Sequence, residues 1–394
     1  MEDGSIGRRI REIRLARGLS VTAAAGLAGI SQSYLSMIER GQRAVTKRDL
    51  LENIANALRV SPMELAGKPY PATDNSSRAV SASMDALNDT LLAWRVGEIP
   101  EDVPARPWEA VKADLDTVNH RLRPDADYEG QVALLPGLIR ELLALSVGRT
   151  REVGLVGLIS AYKATAYLCH DVGVTGLPAL AAEHMRDAAQ ALDDTGWIAY
   201  AAYQRAQLLG GVNRQRQYRL ATDVAEIEQA RVETRGLAHL TAALSAAVQG
   251  DAELAETHLG EADDLADRIE PDVSPWMQTN FGRTNVRIWR VGIGVELGYG
   301  AKAAEIADRW RPTGVSRSRQ AAFWLDVSRA LTTDRNQRHR SLGALLTAEK
   351  LAPQKTRTNA FAREIVSGAI GHAQRDAGGR ELRGLAYRMG VQAG

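Results

Sequence analysis

The sequence predicts an all-α protein in two parts: a compact bundle of five short helices over residues 1–67 and a longer solenoid of helical hairpins over residues 84–394. Three observations support this prediction. Apolar residues recur at intervals of three or four along most of the chain, no run alternates as a strand would, and glycine breaks return at similar intervals in the second part. A chain of 394 residues is also too long for one ordinary core, so we expect more than one domain.

Capping residues divide the first 67 residues into helices. A serine or threonine precedes each apolar run, where its side chain would accept a hydrogen bond from the first helical turn. The predicted caps are Ser5, Ser20, Ser31, Thr46 and Ser61. Thr46 and Asp49 have the spacing of a capping box, and Pro62 follows its cap at the first helical position. These signals predict the five helices.

A turn of three residues, from Gly29 to Ser31, separates the second and third of these helices. This spacing is typical of a helix-turn-helix. Leu35 and Ile38 would pack the third helix inward and leave Gln32 and the neighbouring Ser33 exposed at its amino end. Short hydrogen-bonding side chains at this position suit the base edges of a major groove. The alternative is an ordinary capped helix on the surface.

Basic residues are concentrated in the first part. Of the 49 basic and 48 acidic residues of the chain, residues 1–67 contain ten basic and seven acidic ones, a balance of +3, which leaves a balance of −2 for the rest. A small basic domain on a neutral body is typical of a nucleic-acid-binding protein that carries a separate effector domain. The excess is modest, so it supports this interpretation only together with the motif.

Residues 6–66 resemble the Cro and phage-repressor-like helix-turn-helix family, also called the XRE family. The segments that carry the resemblance are, in chain order, IREIRLARGLS, AGLAGISQSYLSMIERGQR and LLENIANALRVSPMEL. The DNA-binding residues that the resemblance implies are Ser31, Gln32, Ser33, Ser36, Met37, Arg40, Gln42, Arg43 and Lys47. Gln32 and Ser33 would read base edges, and a buried ion pair between Arg14 and Glu39 would join two helices. Val21 stands where the family often has a phosphate-binding glutamine, which puts one positioning contact in doubt.

The second part begins after residues 68–83, whose proline, serine and small polar residues predict a linker. Its predicted breaks between helices are Gly173, Gly211, Gly250, Gly298 and Asp334. These breaks are roughly 36 to 48 residues apart, somewhat more than the ~34 residues of a tetratricopeptide hairpin. Residues 84–394 therefore loosely resemble a tetratricopeptide-like solenoid. We expect this part to sense a ligand and to dimerise. An irregular all-helical bundle is the alternative.

Aromatic residues are only 5% of the chain, yet several tryptophans lie close together in the later hairpins. With nearby arginines they predict a pocket for a small molecule or peptide on the concave face. The residues of this predicted ligand site are Trp276, Arg283, Arg287, Trp289, Trp310 and Trp324. Core packing between hairpins is the alternative for the tryptophans, and the arginines would then be solvated.

No catalytic, metal-binding or cofactor-binding pattern is found, so we predict neither an enzyme nor a cofactor. The single cysteine and the lack of a long apolar run predict a cytoplasmic protein without a membrane segment. The leading hypothesis is a transcription regulator that binds a double-stranded DNA operator, as a homodimer, under the control of an effector. Some regulators with a similar head and repeats bind signalling peptides. The alternative is an interaction scaffold whose N-terminal domain contacts proteins or tethers weakly to DNA.

Overall fold

The computed structural model describes residues 5–67, 75–101, 103, 106–211, 213–373 and 379–391. These residues form α-helices joined by turns, with short 3-10 and π-helical segments and no strand, so the all-α prediction is confirmed. Among them, no single helix has the length and apolar character needed to cross a membrane. One pair, Tyr128–Leu145 with Gly148–Asp171, passes that test jointly but is bent by 107° at its break.

The N-terminal domain has the five predicted helices: α1 (Ile6–Ala16), α2 (Val21–Leu27), α3 (Gln32–Glu39), α4 (Arg48–Leu58) and α5 (Pro62–Ala66). Four of the predicted caps accept a backbone N–H as expected: Ser5, Ser20, Ser31 and Ser61. The prediction for Thr46 is wrong, because α4 begins after Lys47, which makes no capping bond. Thr46 is instead buried, and its carbonyl oxygen accepts a hydrogen bond from Arg329 at 2.8 Å.

The second part begins with α6 (Asn75–Ala93), α7 (Trp108–Thr117) and a π-helical turn, Val118–Leu122. The helices that follow are α8 (Tyr128–Leu145), α9 (Arg151–Asp171), α10 (Leu177–Leu192), α11 (Thr195–Leu208), α12 (Arg214–Ala225), α13 (Val232–Val248) and α14 (Ala252–Ala266). The last seven are α15 (Arg283–Glu296), α16 (Gly300–Arg309), α17 (Arg317–Thr332), α18 (Arg338–Leu351), α19 (Pro353–Thr358), α20 (Ala360–Ala373) and α21 (Arg380–Met389).

The predicted linker differs from the structure over half of its length. Residues 68–74 lie outside the described residues, but α6 begins at Asn75, so the prediction of a linker over residues 75–83 is wrong. The physical reason is an apolar stripe: Val80, Met84, Leu87 and Leu91 recur at helical spacing and are buried in the core of the second part. Mostly small or polar residues occupy the positions between them and hide this periodicity in the composition.

The predicted breaks do separate helices. Gly173, Gly211, Gly250 and Gly298 each adopt a positive φ after a helix, a conformation that costs glycine little. Asp334 lies in the break between α17 and α18, where its side chain accepts a hydrogen bond from the N–H of Asn336. Successive helices pack against each other as hairpins, so the prediction of a second part built from helical hairpins is confirmed.

Each part has its own apolar core, and the N-terminal domain is docked against the late helices of the second part. Its core comprises residues of α1 to α5 and is joined at its edge by Phe361 of α20. Buried polar contacts reinforce this junction, because Glu364 of α20 accepts hydrogen bonds from the backbone N–H groups of Ile6 and Val45. The two parts thus share a polar interface as well as an apolar one.

Candidate nucleic-acid interface and ligand cavity

Helix α3 is held by a close approach to α1 and by a buried ion pair. A Cβ atom at Gly7 would lie only 2.0 Å from the carbonyl oxygen of Ile38, so glycine lets the two helices touch. Arg14 Nε donates to Glu39 Oε1 at 2.6 Å, and Arg14 Nη2 donates to Glu39 Oε2 at 2.8 Å. A planar, bidentate pair of this kind fixes the direction of α3 as well as its distance.

The amino end of α3 faces away from the protein. Ser31, Gln32 and Ser33 are exposed, whereas Leu35 and Ile38 on the opposite side of the helix are buried. The Ser31 hydroxyl accepts the N–H of Tyr34 at 3.2 Å and lies 3.1 Å from the Ser33 hydroxyl. Gln32 therefore projects from a capped, rigid helix end, a geometry that suits insertion into a groove.

The other predicted DNA-binding residues lie along α3, beyond its carboxyl end and at the start of α4. Arg40, Gln42 and Arg43 are exposed beyond the carboxyl end of α3, and Ser36 and Met37 are half-buried along the helix. Lys47 lies at the start of α4, where its ammonium group pairs with Asp49 at 3.4 Å. Since Ser36, Met37 and Lys47 keep part of their surface, all nine residues have some exposure on this domain.

Gln42 and Arg43 also border the second part of the protein. They line a cavity of about 170 Å³ that is closed on its other side by residues of α17, α18, α20 and α21. Arg338 and Leu342 belong to this opposite wall. A duplex that contacts Arg43 would therefore run close to the body, and the orientation of the N-terminal domain decides how much room it has.

That orientation is set by a cluster of buried charges that sequence reasoning missed. Glu296 of α15 accepts from the backbone N–H of Arg48 at 2.9 Å and also from the Arg48 side chain. Arg329 of α17 donates to Glu296 at 2.5 Å, and its guanidinium lies 4.5 Å from the ring centroid of Phe361. Burial by itself would raise the pKa of Glu296, but Arg329 and Arg48 lower it to about 2.

A second polar contact lies one turn further along α4. Arg214 of α12 donates to Glu52 at 2.7 Å and at 3.0 Å, so the domain is also tied to the middle of the solenoid. The sequence does not indicate the burial of Glu296, Arg329 and Glu364, because ionisable residues on a helix usually face solvent. Their spacing carries no signal of its own, and only the packing of distant segments brings them together.

A cavity of about 470 Å³ lies within the second part. Helices α9, α11, α15 and α17 contribute to its wall, together with the π-helical turn and the loop over residues 273–280. Tyrosines and Trp289 give it aromatic surface, and its charged side chains are Arg123, Lys163, Asp171, Arg319 and Lys355. Such a volume accommodates a small organic molecule.

Of the six residues predicted from the sequence to bind a ligand, Trp289 lines this cavity. The other five do not share a site with it. Trp276 packs beside Trp197 and Tyr200, and Trp310 and Trp324 pack against Phe323 in a separate apolar cluster. Arg283 pairs with acidic residues on the surface, and Arg287 stacks on Trp310. The prediction of one pocket from these six residues is therefore corrected, because most of the tryptophans fill gaps between hairpins.

Sequence reasoning also missed most of the residues that do line the cavity. They come from segments up to 236 positions apart, from Asn119 to Lys355, so no local motif in the sequence indicates them. The same described residues contain no group of three or more histidine, cysteine or carboxylate side chains arranged for a metal ion.

Comparisons with known proteins agree with the geometry of the N-terminal domain. A family model described as a helix-turn-helix domain matches residues 5–66, so this segment is a helix-turn-helix domain. No match is found among curated proteins. Among solved structures, this chain is similar to PlcR of Bacillus thuringiensis in complex with the peptide PapR7 and DNA, with 15% identity over 85% of this chain and 99% of that chain. The TM-score of 0.24 marks a large difference in overall shape between the two proteins.

Proposed function

We propose that this protein is a sequence-specific DNA-binding transcription regulator of the XRE type. The observation that carries the proposal is the exposed amino end of α3, where Gln32 and Ser33 project from a helix-turn-helix domain. Gln32 offers the paired donor and acceptor that match an adenine edge, and Ser33 adds a shorter hydrogen-bonding group. The hydrogen bonds that dock the domain involve Ile6, residues 45–48 and Glu52, so they leave the amino end of α3 uncovered.

Phosphate contacts would come from residues along α3, beyond its carboxyl end and at the start of α4. Arg40, Gln42 and Arg43 are exposed, and Ser31, Ser36 and Lys47 flank them. Such contacts supply affinity without selecting sequence, and they make binding sensitive to salt. This division assigns selectivity to two or three side chains and affinity to the remainder.

A homodimer on DNA is part of the proposal. One helix-turn-helix domain contacts few base pairs, and specific operators of this class are read by two domains about one helical turn apart. We further propose that the second part controls the domain through an effector bound in its cavity. The buried contacts of Glu296 and Glu364 support this, because they make the position of the domain depend on the packing of α15, α17 and α20.

Recovery of genomic DNA fragments by the purified full-length chain tests the proposal. We expect enrichment of a short sequence with two-fold symmetry and a half-site separation of roughly 10 base pairs. Recovery of fragments without any common sequence, at a salt concentration where non-specific binding is weak, would contradict a sequence-specific function. That outcome would favour the scaffold hypothesis, in which the domain contacts proteins.

A further inference from the structure

The cavity of the second part holds an excess of positive charge. Its wall includes four cationic side chains, Arg123, Lys163, Arg319 and Lys355, and one acidic side chain, Asp171. Asp171 is already engaged, because it pairs with Lys355 at 2.9 Å and accepts from the Tyr128 hydroxyl at 2.7 Å. The other three cations form no ion pair with any described carboxylate, although Lys163 is buried and Arg123 and Arg319 are half-buried.

Each of these three cations has only neutral partners among the described residues. Lys163 is buried and donates to the carbonyl oxygen of Met277. Arg123 donates to the Asn119 amide at a long 3.4 Å, and Arg319 donates to the Asn285 amide at 2.6 Å. Uncharged amides and carbonyls do not compensate a positive charge, so none of these three side chains has an ion-pair partner among the described residues.

The surroundings shift these groups in the direction expected of uncompensated cations. Burial lowers the pKa of Lys163 well below its usual value, and the nearby Arg123 lowers it further. Burial also lowers the pKa of Arg319 to about 10, although Asp326 and Tyr203 act against this. An anion in the cavity would reverse both shifts, because it favours the protonated form of each group.

Unpaired polar atoms lie in the same wall. The Tyr200 hydroxyl is buried and makes no hydrogen bond of ordinary geometry to a described residue; Gln204 lies beside it, but its amide oxygen accepts from Tyr167 at 2.8 Å. The amide oxygen of Gln278 is likewise buried without a partner in the described part of the chain. Buried polar atoms are nearly always paired, so these two are available to a ligand.

The backbone around the cavity departs from regular structure at two places. A π-helical turn, Val118–Leu122, immediately precedes Arg123 and carries Asn119 into the wall. Met277, Gln278 and Asn280 all adopt positive φ in the loop that covers Lys163. Irregular backbone of both kinds is concentrated at functional sites, because regular structure would not direct these groups inward.

Part of the remaining wall is aromatic. Tyr200 and Tyr203 lie with ring centroids 6.4 Å apart, and the ammonium group of Lys163 is 5.9 Å from the Tyr200 ring centroid. The Trp289 indole lies 5.3 Å from the guanidinium of Arg319 and holds it toward the cavity. A ligand that satisfies this wall combines a negative group with an aromatic or similarly flat body.

We propose that this cavity binds a small organic acid. Lys163, Arg123 and Arg319 hold its carboxylate, and the tyrosines and Trp289 enclose its flat apolar body. The site stands on the cavity and its charges, and only its regulatory consequence rests on the proposed function. Binding measured without DNA therefore separates a failure of the site from a failure of the regulator.

Calorimetric titration of the full-length chain with 2-naphthoate tests the site, with neutral 2-naphthamide as the matched control of equal shape. We expect 2-naphthoate to bind at least tenfold more tightly than the amide. We also expect proton uptake on binding, seen as an enthalpy that varies with the ionisation enthalpy of the buffer, because the anion raises the pKa of Lys163. Equal affinity for the acid and the amide, or no binding of the acid, would overturn the proposal.

Variants test which cations hold the acid. Lys163→Met and Arg319→Met keep most of the unbranched apolar stem of the side chain while removing its charge, and each should weaken 2-naphthoate binding at least tenfold while leaving naphthamide binding within about twofold. Lys163→Met should also abolish proton uptake. Arg149→Met on the surface is the control and should change neither. Unchanged affinity for 2-naphthoate in both cavity variants would overturn the assignment of these cations to the acid. Because the two variants change separate positions, the test still stands if one of them does not fold.

Discussion

The carboxylate of Glu364 accepts the backbone N–H of Ile6 at 3.1 Å, although the two residues are 358 positions apart in the chain. It also accepts the N–H of Val45 at 3.3 Å, so a single buried side chain holds both the start of α1 and the segment before α4. The helix-turn-helix domain is therefore docked by its rear surface, and the amino end of α3 stays exposed. In the proposed function, the body would therefore influence the domain without covering the amino end of α3.

Glu364 should make stability depend on pH. Burial raises the pKa of this carboxyl to about 7, and the two N–H groups and Arg9 offset only part of the effect. The folded protein then keeps a proton that the unfolded chain releases near its ordinary pKa of 4.5, so the free energy of unfolding falls as pH rises from about 4.5 to about 7. We expect Glu364→Gln to remove this dependence, which amounts to about 2–3 kcal/mol between pH 5 and 8.

Urea unfolding of both proteins at several pH values measures this difference. The glutamine keeps one acceptor for an N–H and has no proton to release, so it is the appropriate control for shape. If wild type and variant show parallel stability curves over this range, Glu364 does not titrate as its buried position implies.

The tryptophans should divide into two kinds. Trp310 packs edge-on to Phe323 at 5.6 Å outside the cavity, so Trp310→Ala should lower the free energy of unfolding by about 3 kcal/mol and leave the affinity for 2-naphthoate within twofold. Trp289→Ala removes the indole surface that orients Arg319. We expect its loss of binding free energy for 2-naphthoate to exceed its loss of unfolding free energy. Urea unfolding and calorimetry on the same samples compare the two effects. A larger loss of affinity in Trp310→Ala than in Trp289→Ala would contradict the location of the site.

The sequence predicted the N-terminal domain well because its signals are local. Caps such as Ser31 and stops such as Gly29 act within one turn, and the short connection between α2 and α3 leaves few ways to pack them. The exposed Gln32 follows from the same reasoning, since Leu35 and Ile38 fix which face is buried.

The body was predicted less completely because its cavity is formed by residues that are distant in the sequence. Glycine breaks such as Gly250 mark the hairpins, but nothing in the sequence near Lys163 indicates that Arg123 and Arg319 share its cavity. The tryptophans were predicted to bind a ligand because aromatic residues are rare in the chain, yet Trp310 and Trp324 pack against an apolar cluster instead. The helix over residues 75–93 was obscured because its polar composition outweighed four well-spaced apolar residues.

Arg43 should contribute affinity without selectivity. It is exposed beside the carboxyl end of α3, and its guanidinium would neutralise a phosphate. Arg43→Ala should weaken binding to specific and random duplexes by a similar factor and reduce the slope of log affinity against log salt by about 1. Fluorescence anisotropy at several salt concentrations measures both quantities, and Arg149→Ala on the body is the control. A loss confined to the specific duplex would show that Arg43 reads bases instead.

We propose that the amino end of α3 reads base edges. The ratio of affinities for a recovered operator duplex and a scrambled duplex tests this proposal, measured by anisotropy for the wild type and for Gln32→Ala/Ser33→Ala. We expect the double variant to lose at least tenfold of this ratio, because each good side-chain contact with a base contributes about 1–3 kcal/mol of discrimination, while its affinity for scrambled DNA stays within about twofold. An unchanged ratio in a folded double variant would contradict it.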